Sequence, residues 1–384
     1  MSAITCRNIE YTPSGRLELT LASDTSSKDL FFNLPPGTYL HPDAILASVG
    51  MILARSYSVI DIDFGVSDEM RRLVSLHCQA EVVGGATVPA EGPVEGGSIS
   101  LAFSGGFDSI TARDMLPQDT QLVSLDFGGA FSRERPMFDL FHSNVVKTNL
   151  VSLGLNNRSW AFMGIGNLLL RSSLRSSIMS FGTILEAREK YVLRFKSQAQ
   201  PGVSTLSGLT KMPVVNPVLG LTEVATARHV VRHYPDLVRD VFHSVANPGE
   251  AKSYRKSLLL EAAFKESGLT LPRRADLPRT GLEWGRNLAA DFLAPYLVKT
   301  LGPEAVQVMY TNALPEELIR MAEQLELKFY GRLNTNFYVN SWAPILQPVV
   351  SRMVTNDIVP YSSTDYREFS KVASFLNRSF KGSC

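Results

Sequence analysis

The chain has 384 residues, and its 45% hydrophobic and 20% charged residues are typical of a globular protein with more than one core. The 38 basic and 37 acidic residues nearly balance, so no overall positive charge indicates nucleic-acid binding. The cysteines Cys6, Cys78 and Cys384 are far apart, which disfavours a disulfide framework and a cysteine-based zinc site. Neither a signal-peptide pattern nor an apolar run of membrane-spanning length is present, so we expect a cytoplasmic protein without membrane contact.

The first 83 residues predict a small α+β unit. Alternating apolar residues predict strands over 16–22, 30–34 and 58–64, and helical periodicity predicts helices over 43–55 and 68–79. Ser67 is the expected N-cap of the second helix. Residues 84–97 are rich in glycine, proline and alanine and predict a linker, which places a domain boundary there.

From residue 98 onward, strand patterns alternate with helical patterns. The predicted strands cover 99–103, 121–127, 145–150 and 191–195, and the predicted helices cover 108–115, 161–187, 222–232 and 250–266. This alternation predicts an α/β fold over residues 98–269, in which helices cover both faces of a parallel sheet. Residues 270–384 are predicted to be mainly helical.

A glycine-rich hexapeptide joins the first strand of this region to its helix. Its residues are Ser104, Gly105, Gly106, Phe107, Asp108 and Ser109. Adjacent glycines let the backbone turn sharply and direct several N–H groups into one concave site, and a helix start adds unpaired donors and partial positive charge. The pattern therefore predicts a phosphate site with hydroxyls from Ser104 and Ser109. The alternative is a structural turn, in which the glycines serve geometry and the aspartate and serine cap the helix.

The carboxylate of Asp108 indicates that a cation binds together with the phosphate. The hexapeptide lacks the lysine of a Walker loop, and a carboxylate alone repels phosphate. A Mg²⁺ ion between them resolves this conflict, because Mg²⁺ commonly shares its coordination between one or two carboxylates and substrate phosphates. We therefore expect ATP and Mg²⁺ as cofactors, Asp108 as the metal ligand, and Asp108, Ser104 and Ser109 as catalytic residues.

The hexapeptide resembles the SGGxDS signature of the PP-loop ATP pyrophosphatase superfamily, which includes asparagine synthetase and tRNA-modifying ligases. Within it, the chain is most similar to the 7-cyano-7-deazaguanine synthase family. The similarity continues at Leu125-Asp126-Phe127-Gly128-Gly129 with Arg133-Glu134, at Gly166-Asn167-Leu168-Leu169-Leu170 with Glu186-Ala187, and at Asn216-Pro217-Val218-Leu219-Gly220-Leu221-Thr222. It covers about residues 98–265 and implies the HUP-type nucleotide-binding fold of the PP-loop proteins.

The resemblance also implies a reaction. ATP activates a carboxylate or carbonyl oxygen of a small-molecule acceptor as an adenylate, pyrophosphate is released, and a nucleophile displaces AMP. No cysteine pair lies near the loop, so ammonia or an amine is expected as the nucleophile. By the same resemblance, the main chain of Leu125, Asp126 and Phe127 should lie beside the adenine base, with Asn167 facing the same cleft.

Three departures from the family pattern leave a second function open. Glu223 stands where the family has lysine, and Gly166 stands where it has arginine. No cysteine occurs at 252–257, near the position of the family's zinc cluster, so no zinc is expected. Glu223 and the missing zinc site favour a nucleotide-binding interaction module without catalysis, whereas the intact Asp108 and Ser109 favour an enzyme. A homodimer is an open alternative, and nucleic acid is not expected as a partner.

Two groups of basic residues have both a functional and a structural interpretation. His229 and His233 share one helical face and could bind zinc, but histidines on helix surfaces are common. Lys252, Arg255 and Lys256 could form an ordinary solvated face, or they could hold pyrophosphate and partly replace the missing lysine.

Two further segments carry the same ambiguity. Residues 202–208 contain glycine, serine and threonine and predict either a mobile lid over the nucleotide or a plain connection. Residues 329–342 are rich in aromatic side chains and asparagine and predict either core packing or a wall of a substrate pocket.

Overall fold

The computed structural model describes residues 2–94, 96–193, 205–269, 276–338 and 343–380. The chain divides into two compact units. Unit 1 comprises Met1–Ser104, Gln118–Phe181 and Gly202–Val215, and unit 2 comprises Gly105–Pro117, Gly182–Pro201 and Asn216–Cys384. The boundary between these units does not coincide with the boundary predicted at 84–97. The first 83 residues and the strands of the following region both belong to unit 1.

One mostly parallel sheet lies in unit 1. Its strands are β1 (Ala3–Tyr11), β2 (Arg16–Ser23), β3 (Ser26–Asn33), β4 (Val59–Ile62), β5 (Glu81–Gly84), β6 (Ser98–Ala102), β7 (Gln121–Asp126), β8 (Asn144–Thr148), β9 (Ser176–Phe181) and β10 (Val214–Val215). The strand order is β10-β9-β6-β7-β8-β3-β2-β1-β4-β5. The five strands β10, β9, β6, β7 and β8 pair in parallel, which confirms the predicted parallel sheet in this part of the chain.

The order of these five strands contains a reversal. β7 and β8 follow β6 on one side of it, whereas β9 and β10 lie on its other side. The switch point is therefore between β6 and β9, and open α/β sheets bind ligands outside the carboxyl ends of the strands at such a point. The hexapeptide at 104–109 lies between strand β6 and the next helix, as predicted, with Phe103 between it and the strand.

Helices alternate with the strands in the first half of the chain and dominate the second. They are α1 (Pro42–Leu53), α2 (Asp68–Cys78), α3 (Phe107–Met115), α4 (Arg135–Leu140), α5 (Ile165–Leu169), α6 (Glu189–Leu193), α7 (Thr205–Thr210), α8 (Glu223–His233), α9 (Val238–Val245), α10 (Ala251–Glu266), α11 (Leu288–Leu301), α12 (Pro303–Gln307), α13 (Glu316–Gln324), α14 (Ala343–Thr355) and α15 (Ser363–Ser379). Of these, α1, α2, α4, α5 and α7 belong to unit 1, and the others to unit 2. The helical character predicted for the C-terminal region is confirmed within its described residues.

Several predicted elements of the N-terminal region are confirmed. Strands β2, β3 and β4 and helices α1 and α2 lie where the patterns place them, and the Ser67 hydroxyl accepts from the Met70 amide as an N-cap. The predicted linker is held to this region at its start, because the Arg71 guanidinium donates to the carbonyls of Gly84, Gly85 and Ala86.

Two predicted elements are wrong. The long helix predicted over 161–187 is a 3₁₀ turn at Trp160–Gly164, the short helix α5, and then strand β9. β9 is bordered by β6 and β10, and its apolar run was too short for periodicity to distinguish strand from helix. The strand predicted over 191–195 is instead helix α6 as far as the described residues extend.

The segment predicted as a lid is partly described. Residues 202–204 lie outside the described residues, whereas the remainder begins helix α7, so the loop prediction is wrong there. Leu206 and Leu209 belong to the hydrophobic core of unit 1, which explains why this segment is helical. Among the described helices, no one combines the length and apolar character needed to cross a membrane.

Candidate functional site

The hexapeptide forms a sharp turn at the start of α3. Gly105 has φ of 73°, a left-handed conformation that glycine adopts without strain. Gly106 is the N-cap of α3 and has no side chain with which to cap this helix end. The buried ring of Phe107 fixes the first turn. Such a helix start offers backbone N–H donors and partial positive charge, which favour an anion.

The serines at the two ends of the hexapeptide differ in environment. Ser109 is buried, and its hydroxyl donates to the Gly106 carbonyl over 3.0 Å. This hydrogen bond stabilises the turn, but it is not the helix cap of the structural alternative, because in it the Ser109 hydroxyl donates to a carbonyl instead of accepting from a backbone amide. Ser104 is half-buried and is the last residue of its segment of unit 1.

Asp108 faces helix α8 within unit 2. The Thr226 hydroxyl donates to Asp108 Oδ1 over 2.7 Å. Loss of hydration raises the pKa of Asp108, the positive charge of Lys256 opposes this shift, and the negative charge of Glu223 adds to it. A cation beside this carboxylate would relieve the shift. The hydrogen bond from Thr226 fixes one carboxylate oxygen, so the side chain is oriented before any ligand binds.

Gly182 supports the same turn from behind. A Cβ atom at this position would lie 3.0 Å from the carbonyl carbon and oxygen of Asp108 and 3.0 Å from Ser109 Cα. Only glycine allows this approach without displacing the first turn of α3. Gly182 follows strand β9 in the chain, and the hexapeptide follows the neighbouring strand β6.

A buried ion-pair cluster lies at the start of α8. Glu223 is 3% exposed and contacts Lys256 Nζ through Oε1, and its Oε2 lies 3.2 Å from Arg255. Burial alone would raise the pKa of Glu223, but the positive charges of Arg255 and Lys256 outweigh burial and lower it to about 2. Glu223 is therefore a stable anion, and the interpretation of these two basic residues as a solvated helix face is wrong.

Lys256 also contacts the hexapeptide. Its Nζ lies 5.0 Å from the centroid of the Phe107 ring, a distance at which a cation is attracted by the aromatic face. The residue is 5% exposed. A buried ammonium is thus held between Glu223 and the residue that precedes Asp108. Lys252, one turn earlier on α10, is exposed and lies close enough to influence both carboxylates electrostatically.

Glu186 completes the cluster. Its Oε1 accepts from the Glu223 backbone amide over 2.7 Å, and its Oε2 is buried without a hydrogen-bond partner among the described residues. Burial raises the pKa of Glu186 to about 8, and the negative charge of Glu223 adds to this effect. Glu186 is therefore protonated at neutral pH. The carboxylates of the cluster that can then carry negative charge are Glu223 and Asp108, and its cations are Lys252, Arg255 and Lys256.

The residues predicted to contact adenine belong to unit 1. The Asp126 carboxylate accepts from the Gly128 amide over 2.9 Å and lies 3.1 Å from Arg135, so it stabilises the turn after β7. Asn167 on α5 is 1% exposed, and neither polar atom of its amide has a hydrogen-bond partner among the described residues. The adenine contacts of Leu125, Asp126, Phe127 and Asn167 remain predictions.

Buried side chains occur in both the histidine pair and the aromatic segment. His229 is buried and hydrogen-bonded to Asp114 over 2.7 Å, and the His233 ring lies tilted beside it. Across the described residues, no three His, Cys, Asp or Glu side chains are arranged to hold a metal ion. Phe329 and Tyr330 are fully buried, which favours core packing; residues 339–342 of that segment lie outside the described residues.

Two residues of the site were missed by the sequence patterns. Thr226 lies one turn after the N-cap Thr222 on α8, and nothing in its spacing indicates that it faces Asp108. Gly182 was hidden because its segment was predicted to be helical. A strand prediction over 176–181 would have placed a glycine after a second central strand, which is a recognisable signal of close backbone approach.

No protein-family model matches the chain, and no curated protein or solved structure shows significant similarity to it. The class that the fold defines is an α/β protein with a large, mostly parallel sheet.

Proposed function

We propose that the chain is an ATP-dependent enzyme of the PP-loop kind, which adenylates a carboxylate or carbonyl oxygen and releases pyrophosphate. The observation that carries this proposal is the turn at 104–109. It follows β6 in the chain, a strand beside the switch point of the parallel sheet, opens α3 at Gly106, and presents an oriented carboxylate at Asp108. Phosphate binding is the common use of such a turn.

The residues present suit Mg²⁺ only together with a nucleotide. Asp108 provides one carboxylate, whereas Glu223 is already occupied by two cations. Asp108 would therefore hold the ion jointly with phosphate oxygens, as Mg²⁺ commonly requires. When bound, the ion supplies positive charge next to the leaving pyrophosphate.

The proposed reaction has two steps. The acceptor oxygen bonds to the α-phosphorus while the bond from that phosphorus to the bridging oxygen breaks, and pyrophosphate leaves with the electron pair. An amine or ammonia then bonds to the activated carbon and loses a proton, and AMP leaves. The backbone N–H groups of the turn would stabilise charge on the leaving phosphates, and their fixed positions avoid a reorganisation cost.

Replacement of Asp108 by Asn tests the proposal. Asparagine keeps the size of the side chain and removes its charge, so the fold should remain while pyrophosphate release falls by about 10²–10³-fold. Pyrophosphate release should be measured with ATP, Mg²⁺, ammonia and a panel of carboxylic acids. Asp119→Asn, on the exposed turn after α3, is the matched control and should retain the wild-type rate.

The alternative, a nucleotide-binding module without catalysis, predicts a different result. Titration calorimetry would then show ATP binding to the wild-type protein, while no acid on the panel provokes pyrophosphate release. An ATP affinity that depends on neither Mg²⁺ nor Asp108→Asn would remove Asp108 from the mechanism and leave it a structural role. Failure of the wild-type protein to bind ATP at all would overturn both functions.

A further inference from the structure

Helix α10 contributes a buried pair of cations to unit 2. The side chains of Arg255 and Lys256 are 12% and 6% exposed, and both contact Glu223. Burying charges is costly, and an ion pair with one carboxylate recovers only part of that cost. Two buried cations for one buried carboxylate leave a positive charge that Glu223 alone does not neutralise.

Asp108 is the neighbouring group that can balance this charge. Glu186 is neutral near pH 7 because its pKa is raised to about 8, so it offsets none of it. Asp108 offsets one charge when it is ionised. In the proposed function Asp108 shares its charge with Mg²⁺, so the second cation is then left for an added anion, next to the turn whose backbone N–H groups favour one.

We propose that Lys256 and Arg255 bind the β- and γ-phosphates of ATP, and that Glu223 is the positioning residue that holds both cations at the turn. This inference rests on the proposed function and names the residues that neutralise the departing pyrophosphate. Lys256 is placed for this role by its contacts on two sides, with Glu223 and with the Phe107 ring. A cation that neutralised Glu223 alone would not need to lie against the residue next to Asp108.

The inference also gives a physical account of Glu223. A carboxylate at the start of α8 is favoured by the helix dipole, and here it orients cations that come from another helix. Helix α10 thus supplies the two cations, and Glu223 on α8 holds them in place. An ammonium on a flexible stem would lose this orientation without its carboxylate partner.

Replacement of Lys256 by Met tests the inference, because it keeps the length of the side chain and removes the charge. Affinities for ATP with Mg²⁺, for inorganic pyrophosphate and for AMP should be measured by titration calorimetry. We expect about 10- to 100-fold weaker binding of ATP and pyrophosphate, in line with the loss of one charged hydrogen bond, and unchanged binding of AMP. Lys256→Arg keeps the charge and should recover most of the affinity.

Lys265→Met is the matched control on the same helix. Its ammonium donates to the Thr300 carbonyl at the surface, so its loss should change none of the three affinities. Thermal unfolding identifies variants that fail to fold. If Lys256→Met is among them, Arg255→Gln takes its place and should weaken pyrophosphate and ATP in the same way.

The outcomes separate this inference from the proposed function. If the folded variant binds pyrophosphate as tightly as the wild type, the inference is wrong and the ATP proposal stands. Equal losses for AMP and pyrophosphate would also overturn it, because they indicate a general structural role. Wild-type protein that binds neither ATP nor pyrophosphate would overturn both.

Discussion

Three carboxylates in unit 2 have differently shifted pKa values because their surroundings differ. Glu223 contacts two cations and stays ionised, Glu186 has a backbone amide as its neighbour and stays protonated, and Asp108 receives a hydrogen bond from Thr226. Burial raises the pKa in every case, and only the cations reverse the shift at Glu223. The ionisation of the cluster is therefore set by side chains from four separate segments of the chain.

This dependence on several segments limits what the sequence could predict about the site. The hexapeptide and the basic residues at 252–256 were recognisable, because each is a local pattern. Their proximity was not, because it depends on how α3, α8 and α10 pack together. The sequence also left Glu223 unexplained, since its two cationic partners lie more than thirty positions further along the chain.

Glu186 gives a prediction about pH. The carboxyl has an ordinary pKa of 4.5 when exposed and about 8 in the folded protein, so the folded state alone binds the proton between these values. Wild-type stability should therefore fall as pH rises through this window, by at most about 1.4 kcal/mol per pH unit. In Glu186→Gln this contribution is absent. The free energy of unfolding of the variant should therefore rise relative to that of the wild type from about pH 5 to about pH 8.

Urea unfolding at several pH values measures this effect. Glu189→Gln removes an exposed carboxylate from the neighbouring helix α6 and is the control, which should follow the wild-type curve. A constant difference between Glu186→Gln and wild type across the window would show that Glu186 does not titrate there.

At the scale of elements, the packing of helix α5 requires glycine at position 166. Gly166 faces β7, and a Cβ atom there would lie 2.9 Å from Val123 Cγ1 and 3.2 Å from Leu125 Cδ2. An arginine at this position would collide with the sheet. The sequence could not reveal this requirement, although it predicted the strand over 121–127, because the requirement depends on how closely α5 packs on that strand.

Replacement of Gly166 by Ala should destabilise the protein by about 1–2 kcal/mol, because overpacking outweighs the gain from a better helix former. Gly208 in helix α7 is the matched control, since a Cβ atom there would meet no heavy atom of the described residues within 4 Å. Gly208→Ala should be neutral or stabilising by about 0.5–1 kcal/mol. Chemical unfolding of both variants measures the difference, and equal effects would contradict the proposed contact.

At the scale of the whole molecule, the sequence predicted the parallel strands after residue 98. It did not predict that the N-terminal strands join them in one sheet. The strand–helix alternation after residue 98 was a clear signal for β6, β7 and β8. The pairing of β3 with β8 was not predictable, because it joins strands more than a hundred residues apart through only two residue pairs, Phe32 with Thr148 and Asn33 with Lys147. Composition at 84–97 indicated a boundary in sequence, whereas the sheet continues on both sides of it.

The continuity of this sheet predicts that the first 97 residues are needed for unit 1 to fold. The core of unit 1 includes Phe32 and Leu46 from the N-terminal region as well as Val123 and Leu168 from the region after it. Side chains reinforce the seam, since Asn149 accepts from the Phe31 amide and donates to the Asp29 carbonyl. Removing residues 1–97 would expose this core and leave an unpaired edge at β8, which favours aggregation.

In a fragment of residues 98–384 expressed alone, the backbone amides of β6, β7 and β8 should therefore exchange rapidly with solvent, whereas unit 2 lies wholly within the fragment and can keep its own cooperative transition. The same fragment co-expressed with residues 1–97 as a separate chain should regain amide protection in these strands, because the seam can form between chains. The co-expressed pair controls for the break itself, which lies just before β6. If the amides of these strands are as protected in the isolated fragment as in the intact chain, and the fragment remains monomeric in size-exclusion chromatography, then residues 1–97 are an independent domain and the shared core contributes little to folding.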